Sequence, residues 1–191
     1  MKITGTTVLE WFPELELIKD AGLREKCVKT WDLAVERCGI AREEIPSILC
    51  HKSLTGCPVT LLEHTRGVTQ LAMRMAEQFQ EDFGQYAPVD MDLVIASAVL
   101  HDVGKPGEHM TDADGKLTWA AKNLHHPISG AILAAEAGCP AKVVYIIANH
   151  SHEGAKAKDF PELFIVKNAD DLYYRYLFFG FQKSTKTNWE K

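Results

Sequence analysis

A chain of 191 residues, 46% hydrophobic and 25% charged, has the make-up of an ordinary globular protein and is long enough for one well-packed domain with a short N-terminal appendage. Its 26 acidic against 21 basic residues, a formal charge of −5, exclude the basic face that general nucleic-acid binding requires. No apolar run is long enough to span a bilayer and the opening MKITGTTVLEWF lacks a signal-peptide pattern, so a cytoplasmic location without a membrane role is expected.

In chain order, Thr6 and Thr7 can cap a short helix through Trp11 and Leu17 that breaks near Gly22. Residues 23–38 carry a broad apolar stripe (Cys27, Val28, Trp31, Ala34, Val35, Cys38) and end at Gly39, as a helix would. Residues 41–49 form a shorter helical piece interrupted by Pro46, and 51–58 a loop. Cys50-His51 with Cys57 is half of a zinc site, but no second pair follows. The five cysteines, Cys27, Cys38, Cys50, Cys57 and Cys139, have no framework spacing and are read as free thiols in a reducing compartment.

The longest helix is expected over 60–83, with Gly84 as its cap. Its inward stripe is Leu61, His64, Val68, Leu71, Met75 and Phe79, so His64 faces the core. Taken alone, such a histidine is most simply a core residue bonded to a carbonyl. A second apolar helix, 90–103, carries His101-Asp102 near its end; an adjacent imidazole and carboxylate there are either a dipole-stabilised helix terminus or metal ligands. Asp112-Ala113-Asp114-Gly115 predicts a short β-hairpin, without the later ligands of a calcium loop. Helices follow over 127–137, closed by Gly138, then 141–149 with His150-Ser151-His152 at its end, and 161–179 with Asp170 and Asp171 mid-helix.

His64, His101-Asp102, His126, His150 and Asp170 thus come from different helices, each on an inward stripe or at a helix end. A helical bundle builds sites from facing helices, and one or two divalent cations would satisfy all six groups where burial without a metal would be costly. Mixed His/Asp donors suit Mn, Fe, Co, Ni or Zn better than calcium, with Mg admissible.

The order H…HD…H…H…D resembles that of the HD superfamily of metal-dependent phosphohydrolases. The likeness covers residues 61–176 and rests on LLEHTRGVTQLA, SAVLHDVGK, HHPISGAIL, IIANHS and KNADDL. It implies an all-α, single-domain HD-type helical bundle with a short β-hairpin insertion after the HD helix. It divides the chain into an N-terminal helical extension packing on the core (1–58), the HD domain (59–180) and an exposed C-terminal tail (181–191). By the same resemblance His64, His101, Asp102 and Asp170 match the basic one-metal set, and His126 and His150 the extra histidines of two-metal members, with Asp102 bridging. Lys105 resembles the lysine that family members use near substrate and is assigned, with Asp102, a catalytic part. His152 and His125 are further candidates for metal or substrate. Arg66, His109, Lys122, Asn123 and Arg175 are candidate phosphate or ribose contacts.

Residues 101–131 also resemble the HD segment of bacterial CCA-adding tRNA nucleotidyltransferases, but no nucleotidyltransferase domain is present and tRNA is not carried over as substrate. The Gly-Tyr-Pro signature of cyclic-di-GMP phosphodiesterases is absent after His152-Glu153-Gly154. The resemblance implies hydrolysis of a small phosphate ester, a nucleotide or related phosphomonoester or diester, by metal-activated water at a dinuclear centre. Its rivals are an HD-fold di-iron oxygenase with the same ligand set and a non-catalytic nucleotide sensor. Residues 1–54 supply no identifiable chemistry and are available to cover the site or to make a homo-oligomer contact.

Overall fold

Local capping signals set where the helices begin. The computed structural model describes residues 5–51, 54 and 56–181. Helix α1 (Val8–Trp11) is a single turn held by a capping box between Thr7 and Glu10, and a 3-10 turn, Pro13–Leu17, follows it. Helix α2 (Ala21–Cys38) starts where Asp20 accepts from the Leu23 N–H, and stops at Gly39, whose φ of 67° is left-handed. After the 3-10 turn Arg42–Ser47, helix α3 (Leu61–Phe83) opens on a second capping box, Thr60 with Glu63. Helix α4 (Met91–Leu100) is capped by Asp90 and is buried from Leu93 onward on all sides, the pattern of a central helix.

The expected continuation of α4 to residue 103 does not occur. His101 is its C-cap, residues 101–104 turn, and a 3-10 segment, Lys105–His109, carries the chain onward. Pro106 lacks the N–H that another α-helical turn would need. The His-Asp pair therefore leaves the helix axis, so two adjacent side chains can face one centre.

The expected β-hairpin is corrected. Among the described residues there is no strand, only the isolated antiparallel pairs Thr111 with Leu117 and Leu49 with Thr60. The turn itself forms: Asp112 Oδ1 accepts from the N–H groups of Asp114 (3.0 Å) and Lys116 (2.9 Å). Pairing stops at the Thr118 N–H to Met110 carbonyl bond, because Met110 ends the 3-10 segment and Thr118 caps helix α5 (Trp119–Asn123). Neither side has chain left for a ladder.

Helices α6 (His126–Ala137) and α7 (Ala141–Asn149) form a tight pair separated by Gly138, followed by the 3-10 turn His152–Lys156 and α8 (Pro161–Phe181). Helix α8 passes the boundary expected at residue 179. The tail expected at 181–191 lies, from 182 onward, outside the described residues. Helices α3, α4 and α8 pack together, α2 lies on α4 and α6, and α7 closes against α4, α6 and α8. One apolar cluster runs from Trp11, Phe12 and Trp31 through Val94–Leu100 to Ile146 and Val166. Trp31 Nε1 donates to the Val99 carbonyl at 3.1 Å, tying α2 to the last turn of α4. Buried Glu14 accepts from Arg66 and Gln70 and so fixes the N-terminal segment to α3.

Two glycines allow the close approaches that shape the site. A Cβ on Gly67 would lie 2.2 Å from Tyr173 Oη, so α3 and α8 meet there without one. A Cβ on Gly104 would lie 2.3 Å from the His126 carbonyl oxygen and 2.7 Å from the Gly130 nitrogen. The turn after His101-Asp102 thus rests directly on the first turn of α6. Gly104→Ala should force these segments apart and destabilise the fold by about 1–3 kcal/mol, read as a lower urea midpoint with unchanged slope.

Candidate metal centre

Five of the six sequence-predicted groups gather around the sixth, Asp102, which is 1% exposed. His64 comes from the first turn of α3, His101 caps α4, His126 opens α6, His150 caps α7 and Asp170 lies midway along α8. Around Asp102 Oδ2 lie His101 Nε2 at 3.3 Å and His64 Nε2 at 3.4 Å, and these two nitrogens are 3.4 Å apart. Asp170 Oδ1 completes this group at 3.1 Å from His64 Nε2 and 3.7 Å from His101 Nε2. On the other side, Asp102 Oδ1 lies 3.2 Å from His126 Nε2 and 3.8 Å from His150 Nε2. Donor atoms of His64, His101 and Asp102 lie within 4.8 Å of one another, and so do those of Asp102, His126 and His150.

These separations suit cations. Donors about 2.1 Å from a common ion are roughly 3.0–3.4 Å apart along the edges of an octahedron or tetrahedron. The ring orientations suit them too. His101 Nδ1 lies 2.6 Å from the Ala98 carbonyl and His150 Nδ1 2.7 Å from the Ile147 carbonyl. A carbonyl only accepts, so each Nδ1 carries a proton and each ring turns Nε2 inward as the atom available to a cation. His150 Nε2 is buried and has no hydrogen-bond partner among the described residues, a cost that a bound cation would remove.

The electrostatics of the metal-free cluster follow from burial against a few close charges. Burial pushes the His150 pKa down to about 4, with the neighbouring His101 acting the same way. His64 is also lowered by burial, against the pull of Asp170. His101 is raised, because Asp102 and Asp170 outweigh its burial. Burial works to raise both carboxyls, yet each is held below the usual carboxylate range, Asp102 by Lys105 and His101, and Asp170 by His64 and His101.

A cavity of about 850 Å³ opens above Asp102, lined on its walls by residues that include His109, His125, Lys167, Tyr174 and Arg175. Lys105 is 9% exposed, with Nζ 2.6 Å from Asp102 Oδ2 and donating to the Cys50 carbonyl at 3.1 Å. His125 pairs with Glu153 at the rim, and the His152 side chain, 84% exposed, lines the cavity's outer edge beyond the buried groups. Arg175, paired with Asp171 at 2.7 Å, also stands at the rim. Arg66, Lys122 and Asn123 do not line the cavity. Arg66 is two residues past His64, about 200° around the helix, and binds Glu14 instead. The Asn123 amide donates to the Trp119 carbonyl in its own helix.

Several lining residues were not anticipated. Lys167 and Tyr174 stand three residues before and four after Asp170, on its face of α8, so helical spacing alone could have pointed to them. His51 had no such signal. Its ring meets those of His64 and Tyr174 edge-on at 5.2 and 4.6 Å, and burial lowers its pKa to about 3. It is carried there by a loop whose Cys50, Leu54 and Cys57 form a small second core with Tyr174, Leu177, Phe178 and Phe181. All five cysteines are unpaired and buried. Among the described residues no helix is long and apolar enough to cross a membrane.

A family model described as HD domain matches residues 61–175. A dihydroneopterin 2',3'-cyclic phosphate phosphodiesterase of Methanocaldococcus jannaschii is 32% identical over 165 residues, which cover 82% of this chain and 64% of that protein. The chain thus spans slightly less than two thirds of the length of this relative. No solved structure matches it. The chain belongs to the HD domain family.

In the metal-free protein His150 is buried as the neutral ring, so the unfolded chain takes up its proton first as pH falls. The stability it contributes is full above about pH 6.5 and is lost as pH falls toward 4. In chelator, the wild type should lose stability over this window, while His150→Asn should show a slope shallower by up to about 1.4 kcal/mol per pH unit, read by urea unfolding at pH 7, 5.5 and 4.

Proposed function

We propose that this HD-family chain is a metal-dependent phosphohydrolase that cleaves a small phosphate ester, with a cyclic phosphodiester as its best first substrate. In this reading His64, His101, Asp102 and Asp170 hold one divalent cation, and Asp102, His126 and His150 hold a second. The observation that carries it is the division of the Asp102 carboxylate, with Oδ2 facing one histidine group and Oδ1 the other at 3.2–3.8 Å. Nitrogen and carboxylate donors favour Mn, Fe, Co, Ni or Zn. Bound there, such cations lower the pKa of water and neutralise charge on phosphoryl oxygens.

The chain's own groups supply the rest. Asp102 and Asp170 bring negative charge to the floor, and Lys105 keeps an ammonium beside Asp102, where the Asp102 charge, against the cost of burial, holds its pKa above the usual value. A phosphate resting on the floor would lie beside that ammonium. Lys167 brings a cationic group to the cavity wall, and Arg175 a second to its rim beside Asp171. Tyr174 and His51 offer aromatic surface for the organic part of the substrate. The named activity of the M. jannaschii relative supports a cyclic phosphodiester. The unpaired thiols are consistent with a reducing, cytoplasmic setting.

Purified with Mn²⁺ or Co²⁺, the chain should open a 2',3'-cyclic nucleotide to its monoester. Asp102→Ala should lose bound metal and activity together, by about a thousandfold or more in turnover. Oxygen uptake by an iron-loaded sample with no ester cleavage across a phosphate panel would overturn the hydrolase in favour of the oxygenase. Lys105→Met should keep its metal content and lose roughly a hundredfold in kcat; unchanged kcat would remove Lys105 from the reaction.

A further inference from the structure

Glu108 has no part in the ligand set above. It lies in the 3-10 segment Lys105–His109, on the cavity wall and only partly exposed. A single oxygen, Oε1, accepts two hydrogen bonds from one residue: the backbone N–H of His126 at 3.0 Å and its ring Nδ1 at 3.0 Å.

The reason lies in where each histidine falls on its helix. His101 and His150 end helices, so the carbonyl three residues upstream, Ala98 or Ile147, is at hand to hold Nδ1. His126 begins a helix and has no helical turn before it to supply that carbonyl. Its own backbone N–H is among the donors that the helix leaves unpaired. Both needs must be met from another segment, and Glu108 meets both. With Nδ1 protonated against the carboxylate, Nε2 is left as a lone pair 3.2 Å from Asp102 Oδ1. Glu108 also comes from the same turn as His101-Asp102 and Lys105, so it locks the second histidine group to the first.

We propose that Glu108 is a positioning residue for the second ion, fixing the tautomer and ring direction of His126 while leaving the His64, His101, Asp102 and Asp170 group untouched. This rests on the two-ion reading given above. Carboxylates that hold the far nitrogen of a ligating histidine raise its basicity, and their loss typically costs 10–100-fold in metal affinity.

The test uses the full chain, Glu108→Ala and Glu108→Gln, with far-UV circular dichroism and thermal midpoint to follow folding. In Mn²⁺ titrations the wild type should bind two ions. Glu108→Ala should bind the first ion as the wild type does and the second about 10–100-fold more weakly. Glu108→Gln keeps a carbonyl oxygen that can accept both bonds and should recover most of the loss. In metal-free samples, long-range ¹⁵N–¹H spectra should show His126 protonated at Nδ1 in the wild type and a tautomer mixture in Glu108→Ala. A second-site affinity unchanged in Glu108→Ala, or equal weakening of both sites in both variants, overturns the proposal. So does a His126 that keeps its Nδ1 proton without Glu108. A wild type that takes up only one ion overturns the two-ion reading instead, and the metal-free spectra then still decide whether Glu108 orients His126.

Discussion

A carboxylate 1% exposed to solvent has to be satisfied from within, and most of this fold can be understood as the means of doing so for Asp102. Its two oxygens are divided: Lys105, His64 and His101 surround one, His126 and His150 the other. Moving α3, α6 or α7 by a helix radius would strand a buried polar group. The Tyr173 ring seated on Gly67 and the backbone approach at Gly104 keep α3 and α6 where they are, and both depend on a missing Cβ.

Helix ends serve as mounts for the centre. The last turn of α4 and of α7 each leaves carbonyls without intrahelical partners, and a histidine at the C-cap uses one of them to orient its own ring. At the start of α6 the unpaired groups are donors, and the acceptor for His126 comes from Glu108. That asymmetry is why a glutamate accompanies His126 and none accompanies His101 or His150. It also explains why the ligands can be scattered along the sequence and still share one geometry.

The metal-binding candidates were legible because periodicity and helix-end signals are local. His64 stands on an apolar stripe, His101-Asp102 and His150 precede helix breaks, and Asp170 lies among Ile165, Val166 and Ala169, all buried. The second layer was legible only in part. Lys167 and Tyr174 follow from the spacing around Asp170, whereas Arg66, a candidate phosphate contact, lies on the far side of α3 against Glu14. The β-hairpin was read from a true turn signal at Asp112–Gly115, but flanking helical segments consumed the residues that its strands needed.

By itself the sequence determined the helical class, the inward histidines and carboxylates, the free thiols and the family to which this order of residues belongs. The first three are fixed by composition or by spacing within one element, and the family by the resemblance of motifs ordered across several helices. Only the tertiary structure decided that Asp102 divides its oxygens between two histidine groups, that Lys105 is buried against it and tied to the Cys50 carbonyl, and that His51 and Glu108 belong to the site. Those facts depend on contacts between segments far apart in the chain or outside regular helix, where no repeat of 3.6 residues reports which way a side chain points.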